Sequence, residues 1–138
     1  MSRRIEDLQP IMQPRVRAWL AACKDAGLDI LVTCTLRPWT EQAALYAQGR
    51  STPGRIVTYA RAGESAHNHG LAVDFVPMAA GKPQWSATHP HWQIAGELAE
   101  RAGLEWAGRW KRFREYPHVE MPVWRSYLEP SQSEERVA

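Results

Sequence analysis

Cysteine is scarce in this 138-residue chain, and long apolar runs are missing from it altogether. Two cysteines, Cys23 and Cys34, are too few for the disulfide framework of a small scaffold, so we expect both to be buried free thiols. No stretch approaches the roughly 18 apolar residues of a membrane-spanning helix, and no apolar core of signal-peptide length follows the basic start "MSRR". The sequence therefore predicts no membrane span and a chain that at first stays in the cytoplasm.

A strong excess of one charge is also missing. The formal net charge is +2, the sequence pI is about 8.7, and the Lys and Arg residues are scattered along the chain. This pattern predicts no nucleic-acid partner, although it is compatible with an anionic polymer as substrate. Hydrophobic residues make up 44% and charged residues 23%, which is enough for a packed core in one domain.

Helical and strand patterns alternate along the chain. Apolar spacing and short β-branched runs predict, in order, a helix over 11–26, a strand over 28–36, a helix over 41–49 with Thr40 as its N-cap, a strand over 70–77, a helix over 91–103, and extended segments over 104–113 and 115–121. This order predicts an α+β fold in which helices pack on a small sheet. We expect one domain over 1–128 and a polar, flexible tail over 129–138.

The stretch "ESAHNHGLAVDFVP", residues 64–77, combines two histidines and an aspartate with an apolar run. His67 and Asp74 are seven apart, so on one straight strand they would point to opposite faces. His67 must therefore lie on a loop that enters the strand, and Gly70 permits the bend between them. Asp74 interrupts an apolar run, where a carboxylate is costly unless it is paired or bound to a cation. A metal site and a simple polar turn both remain open.

A third ligand would have to come from elsewhere, and His118 in "REYPHVEM" is the best candidate. Glu115 precedes it by three positions, and a bend at Tyr116–Pro117 would bring both side chains to one site. Glu115 could then take a proton from a metal-bound water and pass it to the leaving amine. It could equally be a surface charge pair with Arg112 or Arg114, which would be of little energetic worth.

The sequence predicts structural positions for the other histidines, for Gln42 and for most of the tryptophans. His69, His89 and His91 fit solvated or capping positions, and Gln42 fits the packing face of a helix. Four tryptophans are expected to form core or groove walls, with one or two lining the cleft that receives the substrate: Trp85, Trp92, Trp106 and Trp110.

Two motifs in this order resemble a known family. "SAHNHGLAVD" is similar to the S-x-H-x-x-G-x-A-x-D signature of VanX/VanY-type D,D-peptidases, and "WKRFREYPHVE" is similar to the W-K-x-F-x-[DE]-x-P-H-x-E ending of L-alanyl-D-glutamate endopeptidases of phage endolysins and bacterial walls. The resemblance covers about 30–123. It implies a small, mostly antiparallel sheet with helices packed on it, the fold shared by D-Ala-D-Ala metallopeptidases and the hedgehog signalling domain.

The resemblance also implies the residues of a zinc site. One Zn²⁺ would be bound by His67, Asp74 and His118. Glu115 would act as general base and acid, and Arg37 would steady the substrate carbonyl oxygen as charge builds on it.

Ser65, the first residue of the signature, would hydrogen-bond near the substrate or a metal ligand. Structural alternatives stay open, because Arg37 could cap the end of a strand and Ser65 could be a turn residue only.

The activity implied is hydrolysis of a peptide bond in peptidoglycan stem peptides, most simply the L-Ala–D-Glu bond. A D-Ala–D-Ala carboxypeptidase or dipeptidase is the alternative within the class, because VanX dipeptidases carry Glu where many endolysins carry Asp in place of Glu115. A non-catalytic zinc-binding domain of this fold is the other alternative, but it would need neither Glu115 nor Arg37. We expect a monomer in a bacterial or phage-infected cytoplasm that degrades the wall after release.

Overall fold

The computed structural model describes residues 1–128 of the chain. Its elements are α1 (Met12–Asp25), β1 (Asp29–Cys34), α2 (Trp39–Ala47), β2 (Ala72–Ala79), β3 (Lys82–Pro83), α3 (His91–Arg101), β4 (Glu105–Trp106) and β5 (His118–Glu120). The alternation of helices and strands confirms the predicted α+β class. The tail expected over 129–138 lies outside the described residues.

The strands form one antiparallel sheet in the order β1-β2-β5-β4, with the short β3 paired to the end of β2. β2 is the central strand, and it carries Asp74 in register with His118 of β5 on one side. On its other side the register places Cys34 of β1 beside Asp74, after an irregularity in the pairing at the end of β1. The sheet therefore fixes which side chains surround Asp74.

The core lies between the sheet and the two longest helices. Phe75 of β2 meets Trp19 of α1 edge-on at 4.9 Å between ring centroids, and it meets Trp92 of α3 at 5.4 Å. The Trp19 indole nitrogen donates to the Ala95 carbonyl oxygen, which ties α1 to α3 at 2.9 Å. Because side chains alternate along a strand, Phe75 in the core directs its neighbour Asp74 to the opposite face.

A close approach between α3 and β4 requires a glycine. A Cβ atom on Gly96 would lie 2.1 Å from the Trp106 ring, a distance that no side chain could occupy. Gly96 therefore allows the large, buried Trp106 indole to lie against the helix. The Trp106 indole nitrogen then donates to the Tyr116 carbonyl oxygen at 2.9 Å, which fixes the segment that leads into β5.

Several local predictions need correction. α2 begins at Trp39 with Pro38 as its N-cap, so Thr40 is inside the first turn and does not cap the helix. The proline side chain has no hydrogen-bond acceptor, so the helix starts without a side-chain cap. His69 is buried, whereas a solvated or capping position was expected. Its ring nitrogen bonds the Gly63 carbonyl oxygen, and the ring packs between Trp39 and Trp124.

The two cysteines are buried and unpaired, as predicted. Burial raises the pKa of the Cys23 thiol to about 11, because the thiolate is disfavoured away from water. Within residues 1–128, no helix has both the length and the apolar character needed to cross a bilayer.

Candidate metal centre and cleft

His67 lies on a single 3-10 turn, Ala66–His69, between the end of β1 and the start of β2. A reciprocal capping box fixes this turn: the Ser65 hydroxyl accepts from the His67 backbone N–H, and the Asn68 side chain accepts from the Ser65 N–H. Gly70 ends the turn with φ of 68°, a left-handed conformation that glycine adopts easily. The bend predicted at Gly70 is confirmed, and it lets His67 and Asp74 meet across seven positions.

The His67 ring is held by a hydrogen bond on each nitrogen. Its Nδ1 lies 2.8 Å from the Thr35 carbonyl oxygen, which can only accept, so Nδ1 carries the proton. Its Nε2 lies 2.9 Å from Asp74 Oδ1. In the neutral ring Nε2 therefore directs its lone pair into the site, which is the form that binds a metal.

The His118 ring is held in the same way from the other strand. Its Nδ1 lies 3.1 Å from Asp74 Oδ1, and its Nε2 lies 2.8 Å from Glu120 Oε1. Because the Glu120 carboxylate accepts from Nε2–H, the neutral ring presents Nδ1 to the site. The two imidazole rings stand edge-on, with centroids 5.2 Å apart. Two ring nitrogens thus converge on one carboxylate oxygen.

The protonation of these groups follows from that convergence. Burial alone would lower the pKa of both imidazoles, but hydrogen bonds to the Asp74 carboxylate outweigh it. The pKa of His67 rises to about 9, and the pKa of His118 rises to about 10 with a further contribution from Glu120. Burial would raise the pKa of Asp74, but hydrogen bonds from His118 and His67 hold it well below its usual range. The Asp74 carboxylate therefore stabilises positive charge on the groups that contact it.

The three donors fit a metal ion. Two imidazole nitrogens and a carboxylate are the kind of set that holds zinc in catalytic sites, with one further position left for water. Each imidazole also has its other nitrogen bonded to a fixed oxygen, the support that metal-binding histidines usually have. The structure thus brings together the three predicted ligands, His67, Asp74 and His118.

A competing donor set includes Cys34. Its sulfur and ligand atoms of His67 and Asp74 all lie within 4.8 Å of one another. However, Cys34 Sγ contacts the Nδ1 side of the His67 ring, at 3.6 Å, and that nitrogen is already bonded to the Thr35 carbonyl. The nitrogen aimed at Asp74 is Nε2. Cys34 therefore faces the nitrogen of His67 that points away from Asp74, and the identity of the ligands stays a prediction.

Glu115 lies just before β5, and its carboxylate reaches the edge of the centre. Its Oε2 is 3.9 Å from His118 Nδ1, and 59% of its side chain is exposed. The segment is held by a bond from the Glu115 N–H to the Ala107 carbonyl and by one from the Phe75 N–H to the Pro117 carbonyl. A carboxylate that is reachable from solvent and adjacent to a ligand can exchange protons with a bound water or a substrate.

Arg37 lies at the other edge of the centre, after the end of β1. One of its terminal nitrogens, Nη2, is 3.6 Å from Asp74 Oδ2, and the other, Nη1, donates to Gln42 Oε1 at 2.9 Å. Gln42 is fully buried, and its Nε2 donates to the Ala60 carbonyl at 2.8 Å. Since that carbonyl can only accept, the amide must present its oxygen to Arg37. Gln42 therefore orients the guanidinium without neutralising its charge.

Sequence reasoning missed two supporting residues, Gln42 and Glu120. Glu120 had a readable signal, because residues two apart on a strand share a face, so Glu120 in β5 had to lie beside His118. Gln42 had no such signal, because its contact with Arg37 depends on how α2 packs. Its position in the sequence predicts only a residue on the packing face of a helix. Ser65 caps the turn that carries His67 and also lines the cleft, and a contact with substrate stays a prediction.

The centre lies in the floor of a cleft of about 760 Å³. The cleft runs between the loop of residues 57–60 and the segment before β5, and its rim is marked by Tyr59 and Phe113, whose ring centroids are 5.6 Å apart. Arg37, Arg114 and Arg125 supply cationic groups along its wall. Glu64 and Glu120 line the same cleft, so it offers an extended ligand charged groups of both signs.

A buried His-Asp-His cluster with an exposed glutamate beside it, in an open cleft, defines a metal-dependent hydrolase site. Comparison with known proteins places the chain within that class. Residues 58–121 match the family described as D-alanyl-D-alanine carboxypeptidase. The peptidoglycan L-alanyl-D-glutamate endopeptidase CwlK of Bacillus subtilis (strain 168) is 43% identical over 123 residues, which cover 83% of this chain and 74% of CwlK.

Solved structures agree. The L-Ala D-Glu endopeptidase ChiX of Serratia marcescens superposes with a TM-score of 0.67 and 25% identity, over 89% of this chain and 86% of ChiX. The vancomycin-resistance D,D-pentapeptidase VanY, solved with Zn(II), superposes with a TM-score of 0.58 over 95% of this chain and 84% of VanY; at 16% identity it shows the fold alone. The chain belongs to the VanY-like family of peptidoglycan metallopeptidases, as the motifs predicted.

Proposed function

We propose that the protein is a zinc-dependent endopeptidase that cleaves the L-Ala–D-Glu bond of peptidoglycan stem peptides. The observation that carries this proposal is the position of Glu115 in a wall shared by two cavities. The large cleft and a smaller cavity of about 370 Å³ both include Asp74, Arg114 and Glu115 in their lining. A substrate can therefore extend to both sides of the reacting centre, as an internal bond requires. The named activity of CwlK, at 43% identity, supports the same bond.

The chain's own residues supply binding and proton transfer. His67, Asp74 and His118 would hold the ion, which when bound polarises a carbonyl group and lowers the pKa of a water toward about 7. The exposed Glu115 carboxylate takes a proton from the attacking water and returns it to the leaving amine, a contribution of about 10²–10⁴-fold. Arg37, held by Gln42, donates to the oxyanion that develops on the scissile carbonyl.

Two features favour an enzyme over a non-catalytic zinc-binding domain. Glu115 is exposed beside the centre, and Arg37 is oriented by a fully buried amide, although neither residue is needed to hold a metal. A domain that only recognises a ligand would gain nothing from a proton carrier and a guanidinium aimed at the same point.

Mass spectrometry of purified peptidoglycan digested with the protein tests the proposed bond. We expect new chains that begin with the free amine of D-Glu, together with muramyl-L-Ala that ends in a free carboxyl. Release of free D-Ala without new D-Glu amines would instead establish the carboxypeptidase activity that the matched family description names. Hydrolysis of the free D-Ala–D-Ala dipeptide would establish a dipeptidase. Protein treated with a chelator, then with and without added Zn²⁺, is the control for the metal.

We further propose that this activity serves the breakdown of the bacterial cell wall, in the manner of an endolysin. The protein would be made in a bacterial or phage-infected cytoplasm and reach the wall on release. We also propose that it works as a monomer, because one chain supplies all three ligands together with Glu115 and Arg37. A monomeric mass for active protein in light scattering would support this state, and activity confined to a dimer fraction would exclude it.

A further inference from the structure

The smaller cavity beside the centre has a lining unlike that of the large cleft. Besides the shared residues it is formed by the aromatic side chains Trp85, Trp92 and Tyr116, together with Ala87 and Pro117. Its charged residues are all shared with the large cleft, whereas the large cleft has further charged residues of both signs, Arg37 and Arg125 with Glu64 and Glu120. The two sides of the reacting centre are therefore suited to different chemistry.

Among the aromatic residues that line this cavity, Trp85 is the exposed one, with 58% of it accessible. The backbone on both sides of it is nevertheless held in place. The Gln84 N–H donates to the Pro77 carbonyl at 2.8 Å, and the Ser86 carbonyl accepts from the Trp92 indole at 2.9 Å. A large flat ring is thus kept at the rim by a fixed backbone, without being covered by the protein.

The floor of the cavity is also fixed. Trp92 lies in the first turn of α3 and is buried, and its ring centroid lies 6.2 Å from that of Tyr116. Tyr116 is in turn 5.7 Å from the Trp106 ring. The exposed Trp85 indole and the packed rings of Trp92 and Tyr116 give this cavity an aromatic lining, which can bind a flat apolar face.

Resting on the proposed function, we propose that this cavity binds the muramic acid sugar to which the stem peptide is attached, with Trp85 stacked on the sugar ring. On the acyl side of an L-Ala–D-Glu bond only one amino acid precedes the lactyl ether of the sugar. The sugar therefore begins within about two residue lengths, roughly 7 Å, of the scissile carbonyl. A cavity that adjoins Asp74 and Glu115 directly is at the right place.

The charges assign the opposite side of the bond to the large cleft. Beyond the scissile bond the stem peptide carries the free carboxylate of γ-linked D-Glu and then the terminal carboxylate. Arg125 lines only the large cleft, and its guanidinium can bind such a group, whereas Arg37 serves the scissile carbonyl. The uncharged methyl group of L-Ala and the face of the sugar fit the smaller, aromatic cavity. The enzyme would therefore recognise the sugar together with the peptide attached to it.

Two soluble substrates with the same scissile bond test this. One is N-acetylmuramyl-L-alanyl-γ-D-glutamyl-L-lysine, and the other is N-acetyl-L-alanyl-γ-D-glutamyl-L-lysine, in which an acetyl group replaces the sugar. For the zinc-loaded wild-type protein we expect kcat/KM to be about tenfold higher for the muramyl peptide, in line with the stacking of one aromatic ring. Trp85→Ala should bring this ratio close to one, and Trp85→Phe should retain part of it.

Phe113→Ala is the matched control, since Phe113 is also an exposed aromatic residue, at 63%, but it lines only the large cleft. It should leave the ratio of the two substrates as in the wild type. A thermal unfolding midpoint close to the wild-type value for Trp85→Ala would show that the ratio changes without loss of the fold, as expected for an exposed side chain.

The outcomes separate this subsite from the function on which it rests. Equal kcat/KM for both substrates in the wild type, or a ratio that survives Trp85→Ala, would overturn the sugar site while leaving the peptidase activity intact. A loss on both substrates by the same factor in Trp85→Ala would mean that Trp85 contacts the peptide, which also overturns the proposal. Failure to cut either substrate or whole peptidoglycan would instead overturn the proposed function.

Discussion

The floor of the cleft and its rim are built in opposite ways. On the floor, His67 and His118 are buried, and each has both ring nitrogens bonded. On the rim, Glu115 and Tyr59 are largely exposed, at 59% and 70%. The difference separates two tasks: holding an ion requires donors fixed in position, whereas exchanging protons with water and substrate requires a group that both can reach.

The positions of the floor residues depend on strand pairing more than the positions of the rim residues do. The ligands on the floor lie on or next to paired strands, where register fixes their neighbours, as with Asp74 opposite His118. The groups on the rim come from segments outside the helices and strands, where sequence alone gives no register. If this division is correct, substitutions on the floor should abolish metal binding, and substitutions on the rim should impair turnover alone.

The largest effect is expected for Asp74→Asn. Asp74 Oδ1 is the common partner of both imidazoles, so an amide in its place removes the charge on which the cluster converges. We expect zinc affinity to fall by more than the roughly 10–100-fold that loss of a supporting partner costs, and activity on peptidoglycan to fall to background. Elemental analysis after dialysis measures this, and a variant that keeps a full equivalent of zinc would refute the assignment of Asp74.

Glu115→Gln should impair turnover and leave the metal in place. The amide keeps the size of the side chain but cannot accept a proton, so we expect a loss of about 10²–10⁴-fold in kcat with unchanged zinc content. Glu105→Gln, an exposed glutamate of β4 outside both cavities, is the control and should retain activity. Wild-type turnover by Glu115→Gln, measured on the soluble peptides, would exclude Glu115 as the base.

Gln42→Leu should have an intermediate effect, because it acts through Arg37. Loss of the Nη1 acceptor frees the guanidinium, and we expect kcat to fall by about tenfold with a smaller change in KM, as a part of what one oxyanion donor contributes. The Ala60 carbonyl also loses its donor, so stability should fall by about 1–3 kcal/mol.

Two further variants separate positioning by Gln42 from a general structural role. Gln42→Glu keeps an acceptor for Arg37, but the added carboxylate offsets the positive charge of the guanidinium. This variant should therefore lower kcat even if the fold is stable. Gln42→Asn keeps the amide but is too short to span both partners, so it should rescue little. A normal kcat in Gln42→Glu would show that the charge of Arg37 is not used in the reaction.

Zinc binding should also depend on pH. In the metal-free protein the pKa values of His67 and His118 are raised to about 9 and about 10, so both rings are protonated at pH 7. A metal binds the neutral imidazole, so binding at pH 7 should release one proton from each ring, and affinity should rise as the pH rises toward 9. Calorimetry at pH 7 in buffers of different ionisation enthalpy counts these protons. A binding heat that is the same in every buffer would contradict the raised pKa values.

Much of the site could be predicted because its residues stand in recognisable spacings and motifs in the sequence. The spacing of His67 and Asp74 required a bend, Gly70 supplied it, and the two family motifs pointed to His118 as the third ligand. What could not be predicted depends on packing between distant elements. The contact of Gln42 with Arg37, the burial of His69 against Trp124, and the approach of Cys34 to His67 arise from how helices and loops settle on the sheet.

The position of the bound ion decides between the two donor sets. Crystals of the zinc-loaded protein, measured on both sides of the zinc absorption edge, should show one anomalous peak within about 2.0–2.2 Å of His67 Nε2, an Asp74 carboxylate oxygen and His118 Nδ1, with Cys34 outside bonding distance. A peak bonded to Cys34 Sγ with His118 turned away, or no ordered peak among these side chains, would contradict the His67–Asp74–His118 site.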